Sequence, residues 1–174
     1  GGRRRSSEAG AVAASAARVG AGGRGLGMGV EYPKVGPKSG QPSGTFQAIK
    51  HAWAEMLLEV ENSHAATYYA AWALDAGTPD AALAASAAKA YVSEASGKVC
   101  GSSIQVHGGI GFTWEYDLHL YVKRAKHLEP PYGDADFHRE RARSPMAARA
   151  PVAPQPLPQV DTALAPSTTP APAP

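Results

Sequence analysis

The residues best suited to chemistry are Gln105-Val106-His107-Gly108-Gly109-Ile110-Gly111-Phe112-Thr113-Trp114-Glu115-Tyr116. A helix rich in small residues runs into a double glycine and then into an aromatic loop. Gly108 and Gly109 lack a Cβ, so the backbone can take φ > 0 and a ligand can lie against it. One helical turn before the bend, Gln105 carries amide donors and a carbonyl acceptor. This set can hold the polar edge of a cofactor against bare backbone. The same residues read equally as an ordinary helix closed by a glycine cap, and the spacing leaves both readings open.

Other reactive side chains carry plainer readings. His51, His64, His119 and His127 show no metal spacing with acidic partners, so no metal is assigned. His107 reads as a helix-end histidine that bonds a backbone carbonyl. Phe112 and Trp114 read as loop anchors packed onto the body of the protein. Cys100 lies among small residues and reads as packing rather than as a nucleophile. In Tyr132-Gly133-Asp134-Ala135, Asp134 reads by residue type as a cap of a final helix, with Asp136.

Three helices have to position these residues. The first spans about Phe46 to Ala76, with Thr45 as N-cap. Its inward face is Ile49, Trp53, Met56, Val60, Ser63, Thr67 and Ala71, at three- and four-residue steps. The second opens at Thr78-Pro79-Asp80, where Thr78 suits the cap and Pro79 the first helical position. It continues to about His107, with Leu83, Ala87, Ala90, Val99 and Ile104 inward. The short connection at Gly77 makes these two an antiparallel hairpin, the building unit of a bundle. The third starts at Asp117 with Leu118, Tyr121, Val122, Ala125 and Leu128 as its stripe, and Pro130-Pro131 stops it. A short helical piece over Ala135 to Arg143 follows. The fold class is all-α, an antiparallel helical bundle over residues 45–143.

The two ends read differently. Residues 1–44 hold 12 of the 19 glycines. Each of Gly20, Gly22, Gly23, Gly25, Gly27 and Gly29 would cost a helix up to about 1 kcal/mol relative to alanine. This segment is expected to be poorly ordered or a degraded helix. Residues 144–174 carry nine of the 15 prolines among Ala, Ser, Thr and Gln, which excludes a packed core and predicts a disordered tail with polyproline II character.

Composition sets the bounds. At 174 residues the chain allows one domain. Aromatic residues are 7%, so the core must be built from small side chains. A net charge of +2 is too weak to argue for nucleic acid. No run of about 18 apolar residues exists to span a membrane. The single cysteine excludes an internal disulfide and fits a reducing, cytoplasmic setting.

The stretch Gly44-Thr45-Phe46-Gln47-Ala48-Ile49-Lys50-His51 and the stretch from Gln105 through Lys126 together resemble the C-terminal helical domain of acyl-CoA dehydrogenases. The resemblance runs from roughly Met28 to Arg143 and rests on two motifs in the right order at the expected separation. It implies FAD as cofactor and an acyl-CoA thioester as substrate. In that family a carboxylate removes the α-proton of the thioester while the β-hydride moves to the flavin. The resemblance places Gln105, Gly108 and Gly109 against the FAD of a neighbouring subunit, Gln47 near the flavin nucleotide, and Gly40 in an Arg-x-Gln-Phe-Gly turn. The base of familiar members is the Glu of Tyr-Glu-Gly-Thr. Here Gly133 occupies that register, and Asp134, one residue on, is the candidate catalytic carboxylate.

Departures from the family pattern are equally specific. Gly36 stands where an arginine meets the FAD pyrophosphate, Ser39 where phenylalanine is usual, and Ser43 where an aliphatic residue is usual. The family's N-terminal helical domain and middle β-domain are not read anywhere in this chain. The resemblance therefore implies a truncated member, inactive alone, that forms a homo- or hetero-oligomer with another acyl-CoA dehydrogenase chain and passes electrons to an electron-transfer flavoprotein. A non-catalytic scaffold subunit that completes a partner's FAD site is the alternative. A proline-tailed helical adaptor without flavin is a third reading.

Overall fold

The computed structural model describes residues 2–32, 37–38, 41–42 and 47–147. Five helices follow in order: α1 (Gly2–Glu31), α2 (Gln47–Ala76), α3 (Ala81–His107), α4 (Leu118–His127) and α5 (Ala135–Ala147). A 3-10 turn, Gly108–Phe112, links α3 to the aromatic loop before α4. Between α1 and α2 lies a minimal antiparallel ladder, β1 (Pro37–Lys38) with β2 (Gln41–Pro42), pairing Pro37 with Pro42 and Lys38 with Gln41. The all-α architecture expected from the hydrophobic pattern is the one observed.

Helix α3 is the axis of the bundle and touches α1, α2, α4 and α5. Buried residues run consecutively along it, as in Ala84-Ala85-Ser86 and Ala88-Lys89-Ala90. A helix surrounded on several sides has no solvent face for a period to reveal. Ala90 and Val99 are buried as expected, but Ala87 is exposed. In α2 the buried set is Met56, Val60, Ser63, Thr67, Ala70 and Ala73, so the stripe passes through Ala70 rather than Ala71. Met56, Val60, Val99 and Val106 form one apolar cluster, with Ile49, Trp53 and Leu26 against it.

The segment expected to be poorly ordered or degraded is, over Gly2–Glu31, a complete helix. Tertiary packing overrides its weak propensity. Burial of Val12, Val19 and Met28 returns about 1.5–3 kcal/mol each, comparable to the summed cost of the six glycines. Those glycines also let α1 lie close to α3. A Cβ on Gly29 would stand 3.1 Å from Ser103 Oγ, and one on Gly25 3.7 Å from Cys100 Sγ. Ser103 Oγ–H donates to the Gly25 carbonyl at 2.7 Å, tying the two backbones together.

Other expectations are adjusted in detail. Helix α3 begins at Ala81 with Asp80 at its cap position, and Asp80 makes no side-chain cap bond there. Thr78 instead points its hydroxyl back toward the Ala73 carbonyl at 3.5 Å. Asp117 precedes α4 without a cap bond. The helical backbone of α5 continues to Ala147, three residues past the expected start of the tail. Residues 148–174, Thr45 and Gly40 lie outside the described residues. Among the described residues, no helix is long and apolar enough to cross a membrane.

Candidate functional site

Two places hold the candidate residues, and α3 separates them. The first is the end of the bundle where α1 stops, α2 starts and α3 stops. Gln105 and Gly109 are exposed there, and Gln47 is exposed on the first residue of α2. Ile49 and Val106 share one apolar cluster, so the sequence-distant glutamines are brought to the same end. The Gln47 amide nitrogen lies 3.5 Å from His51 Nε2.

The glycines of the bend divide into three roles. Gly108 has φ +67° and its N–H bonds the Gln105 and Ile104 carbonyls, so it is the glycine cap of α3. Gly111 is buried, and a Cβ there would press to 3.1 Å from His107 Cβ and 3.2 Å from the Ile104 carbonyl oxygen. It is a packing glycine. At Gly109 a Cβ would meet nothing within 4 Å. Nothing inside the described chain requires glycine at that position.

His107 anchors this end. Its ring is buried between Tyr32, stacked at 4.5 Å, and Tyr116 at 4.7 Å, and Nδ1 lies 2.7 Å from the Ser103 carbonyl. The helix-end reading of His107 is the observed one. The anchoring role expected of Phe112 and Trp114 is not. They are 72% and 78% exposed. Trp114 touches His119 edge-on and holds Lys123 Nζ 4.3 Å from its ring centroid. The first turn of α4 buries Leu118 and His119, rather than these aromatics, in the core.

The second place is the corner between α4 and α5. Tyr132 has φ +65° and Gly133 φ +103°, two successive left-handed residues, of which the tyrosine costs on the order of 1 kcal/mol or more. His138 Nε2 lies 2.8 Å from the Tyr132 carbonyl. Burial pushes the His138 imidazole below its ordinary value despite that bond, so the neutral ring donates from Nε2. The Tyr132 ring packs over Gly10 of α1, where a Cβ would fall 2.3 Å from Tyr132 Cε1. Asp134 is exposed, and its Oδ1 accepts the Phe137 N–H at 2.8 Å. It caps α5, as its residue type foretold. A Cβ on Gly133 would lie 2.4 Å from the Phe137 ring at a backbone φ of +103°, so a glutamate there would need the exposed Phe137 ring to move and the backbone to bear the strain.

Beneath this corner sit two cations that sequence reasoning passed over. Arg18 and Lys89 are fully buried. Arg18 Nε–H donates to Ser96 Oγ at 2.9 Å, and its other nitrogens donate to the Ala125 and Ser93 carbonyls. Lys89 Nζ donates to the Glu129 carbonyl at 2.8 Å and the Leu128 carbonyl at 3.1 Å. Ala125, Leu128 and Glu129 lie at the C-terminal end of α4, where carbonyls lack intrahelical partners and the dipole favours positive charge. Burial, with Arg18 beside it, pulls the Lys89 ammonium down to about 8. The available signal was register: Lys89 falls four residues after buried Ala85 and three before Val92, on an inward face. Cys100 is also buried, and burial pushes its thiol up to about 11, which suits packing rather than reactivity.

Asp134 lies close enough to Lys89 for its charge to favour the ammonium. Lys89 and Gln105 are sixteen residues apart on α3, about 24 Å along its axis. The structure therefore brings Gln47, Gln105, Gly108 and Gly109 to one end and leaves Asp134 toward the other.

Known proteins share this fold. The family described as acyl-CoA dehydrogenase, C-terminal domain, matches residues 7–146. Acyl-CoA dehydrogenase IpdE2 of Mycolicibacterium smegmatis is 36% identical over 115 residues, covering 66% of this chain and 35% of that protein. The ChsE4-ChsE5 complex from Mycobacterium tuberculosis matches in structure with a TM-score of 0.76 at 26% identity, over 83% of this chain and 39% of that one. A solved FAD-dependent dehydrogenase matches with a TM-score of 0.70 at 29% identity, over 75% and 35%. The chain thus spans about a third of the length of the relatives it matches. With four helices packed around α3, a glycine-closed α3 and a family match across nearly all of the described residues, this chain belongs to the acyl-CoA dehydrogenase family and carries its C-terminal helical domain.

Proposed function

We propose that the chain serves an FAD-dependent acyl-CoA dehydrogenase that oxidises the Cα–Cβ bond of an acyl-CoA thioester, together with a chain that provides the remaining domains. The observation that carries this reading is Gly109. Its exposed position has no internal demand for glycine, whereas close approach of an outside group to the backbone would demand it. Gln105 beside it offers both donors and an acceptor to a polar cofactor edge. Gln47 stands at the same end, at the positive pole of α2, and Gly40 takes its role from the resemblance alone. FAD, when bound, supplies the hydride acceptor.

In this reading Asp134 takes the α-proton on its carboxylate. It is exposed on this chain, and a base of that kind works when an enclosing surface dries it and tunes its affinity for protons. The distance of about 24 Å between the two places along α3 fits an edge that serves a neighbour's cofactor and a carboxylate that serves a separate site. The similarity to a complex of two named components, ChsE4 and ChsE5, supports assembly with a second chain. An electron-transfer flavoprotein is the proposed electron acceptor and the cytoplasm the proposed setting.

A second reading is a non-catalytic subunit that lends only the Gln105–Gly109 edge. It is favoured by Gly133, which stands in the register of the usual glutamate without a carboxylate, and by the capping bond that occupies Asp134 Oδ1.

The discriminating variant for flavin contact is Gly109→Val. The added Cβ meets nothing within 4 Å, so thermal stability should stay within about 1 kcal/mol of the parent. Flavin retained by the co-purified assembly, read from its visible absorbance, should fall at least roughly tenfold, the equivalent of about 1.4 kcal/mol. Unchanged flavin content with an intact fold would remove the edge from the cofactor site.

A further inference from the structure

We propose that Lys89 is the positioning residue of the α4–α5 corner: from the interior of α3 its ammonium holds the backbone on which Tyr132, Gly133 and Asp134 are presented. The purpose assigned to the corner rests on the proposed dehydrogenase reading, while the tether itself rests on geometry.

The geometry has three parts. Lys89 is fully buried, and its two shortest bonds end on consecutive carbonyls, Leu128 and Glu129. Those carbonyls immediately precede Pro130-Pro131, two residues that have no N–H to offer and cannot secure the chain through donors of their own. Beyond them the backbone enters the left-handed pair Tyr132-Gly133, a conformation that persists only where its surroundings impose it. His138 holds the far side through the Tyr132 carbonyl, and Arg141 of α5 reaches Glu8 of α1 at 2.6 Å. Without Lys89 the near side of the corner would keep main-chain turns, Leu128 N–H to Arg124, Glu129 N–H to Lys126 and Gly133 N–H to Pro130, and the exposed Lys126–Glu129 ion pair at 3.2 Å.

A buried lysine is an unusual choice for a purely structural tether, since an apolar side chain would fill the space without desolvating a charge. What an ammonium adds is several donors in one place, directed at acceptors that no apolar group can satisfy. Arg18 faces it from α1, Glu129 and Asp134 from the corner, and His138 from α5. Arg18 opposes its charge, whereas Glu129 and Asp134 favour it.

This arrangement has a signature in pH. Opening the corner returns Lys89 to water, where its affinity for a proton rises from about 8 toward the ordinary 10.5. Opening is then coupled to proton uptake. Because the folded value is the depressed one, protection of the corner is lowest below pH 8 and grows above it by up to about tenfold per pH unit, since the neutral amine keeps N–H donors for the two carbonyls without the cost of a buried charge.

Amide hydrogen exchange of the whole chain, corrected for intrinsic rates, tests this at Leu128, Glu129 and Gly133. In Lys89→Met these three amides should lose at least roughly tenfold in protection while those of α2 keep theirs. In the parent chain their protection should rise between pH 8 and 10, and in Lys89→Met it should be flat. Corner exchange in Lys89→Met equal to the parent, or altered evenly throughout the bundle, overturns the proposal. If Lys89→Met does not fold, the parent pH series decides alone: a rise shows that opening the corner draws Lys89 into water, as the tether requires, and a flat profile overturns it. Neither readout depends on turnover, so loss of the dehydrogenase reading and loss of the tether are separately visible.

Discussion

Arg18→Ala is expected to destabilise the bundle by about 3 kcal/mol, one of the largest effects available to a single substitution. The guanidinium joins three helices: α1 carries it, α3 receives it at Ser96 and Ser93, and α4 receives it at Ala125. Hydrogen bonds from a charged donor contribute about 1.5–3 kcal/mol each, and the truncation also leaves a cavity. Two effects offset part of this loss. The variant no longer desolvates a charge, and Lys89 loses a like-charged neighbour. Chemical denaturation followed by far-UV circular dichroism would measure the difference. The exposed pair Arg143–Glu140, 73% and 72% accessible, is the control, because removing it should change stability by less than about 0.5 kcal/mol. Equal effects at the two sites would show that the buried cation is not a keystone of the fold.

Asp134→Asn is expected to lower turnover of the assembled dehydrogenase by a factor on the order of 100 to 10,000, the usual contribution of a positioned base. The substitution is chosen for what it keeps. Asparagine caps a helix about as well as aspartate, so the bond to the Phe137 N–H and the course of α5 should survive while the proton acceptor disappears. Asp134→Ala would confuse the two roles by losing about 1 kcal/mol of capping as well. Dye reduction by the co-purified complex, driven by an acyl-CoA, is the measurement. Full activity in Asp134→Asn with normal flavin content would assign proton removal to another chain and this one to the non-catalytic reading.

The hairpin of α2 and α3 was legible because each helix has boundaries written in local chemistry: Gly77 between them and Gly108 after them. The stripe Met56, Val60, Ser63 and Thr67 was legible because α2 has a solvent face to contrast with. Helix α3 defeated the same reasoning at Ala87 because neighbours on several sides blur the period. Helix α1 was misjudged because glycine propensity is a local quantity, and the close approach to Ser96, Cys100 and Ser103 is set some 75 residues away. Arg18 and Lys89 were overlooked because charge is normally a mark of the surface. Most of their acceptors are backbone carbonyls, of Ser93 in α3 and of Ala125, Leu128 and Glu129 at the end of α4, which no side-chain pattern announces. At the site, Gln105 and the double glycine could be singled out by type, but the division of labour among Gly108, Gly109 and Gly111 needed coordinates. The outward turn of Phe112 and Trp114 was not foreseeable from residues that elsewhere pack inward.

The seam between α1 and α3 also dictates an order of events during synthesis. Its contacts link Arg18 to Ser96 and Gly25 to Ser103, each 78 residues apart, whereas α2 and α3 meet across a short turn. Closing so long a loop carries an entropic cost that the hairpin avoids, and contacts of that sequence separation form slowly. A nascent chain therefore makes α1 first and can seat it only after α3 has emerged. Until then its glycines work against it, and a segment that ends as one of the best-packed helices of the domain begins as the one least able to hold its own shape.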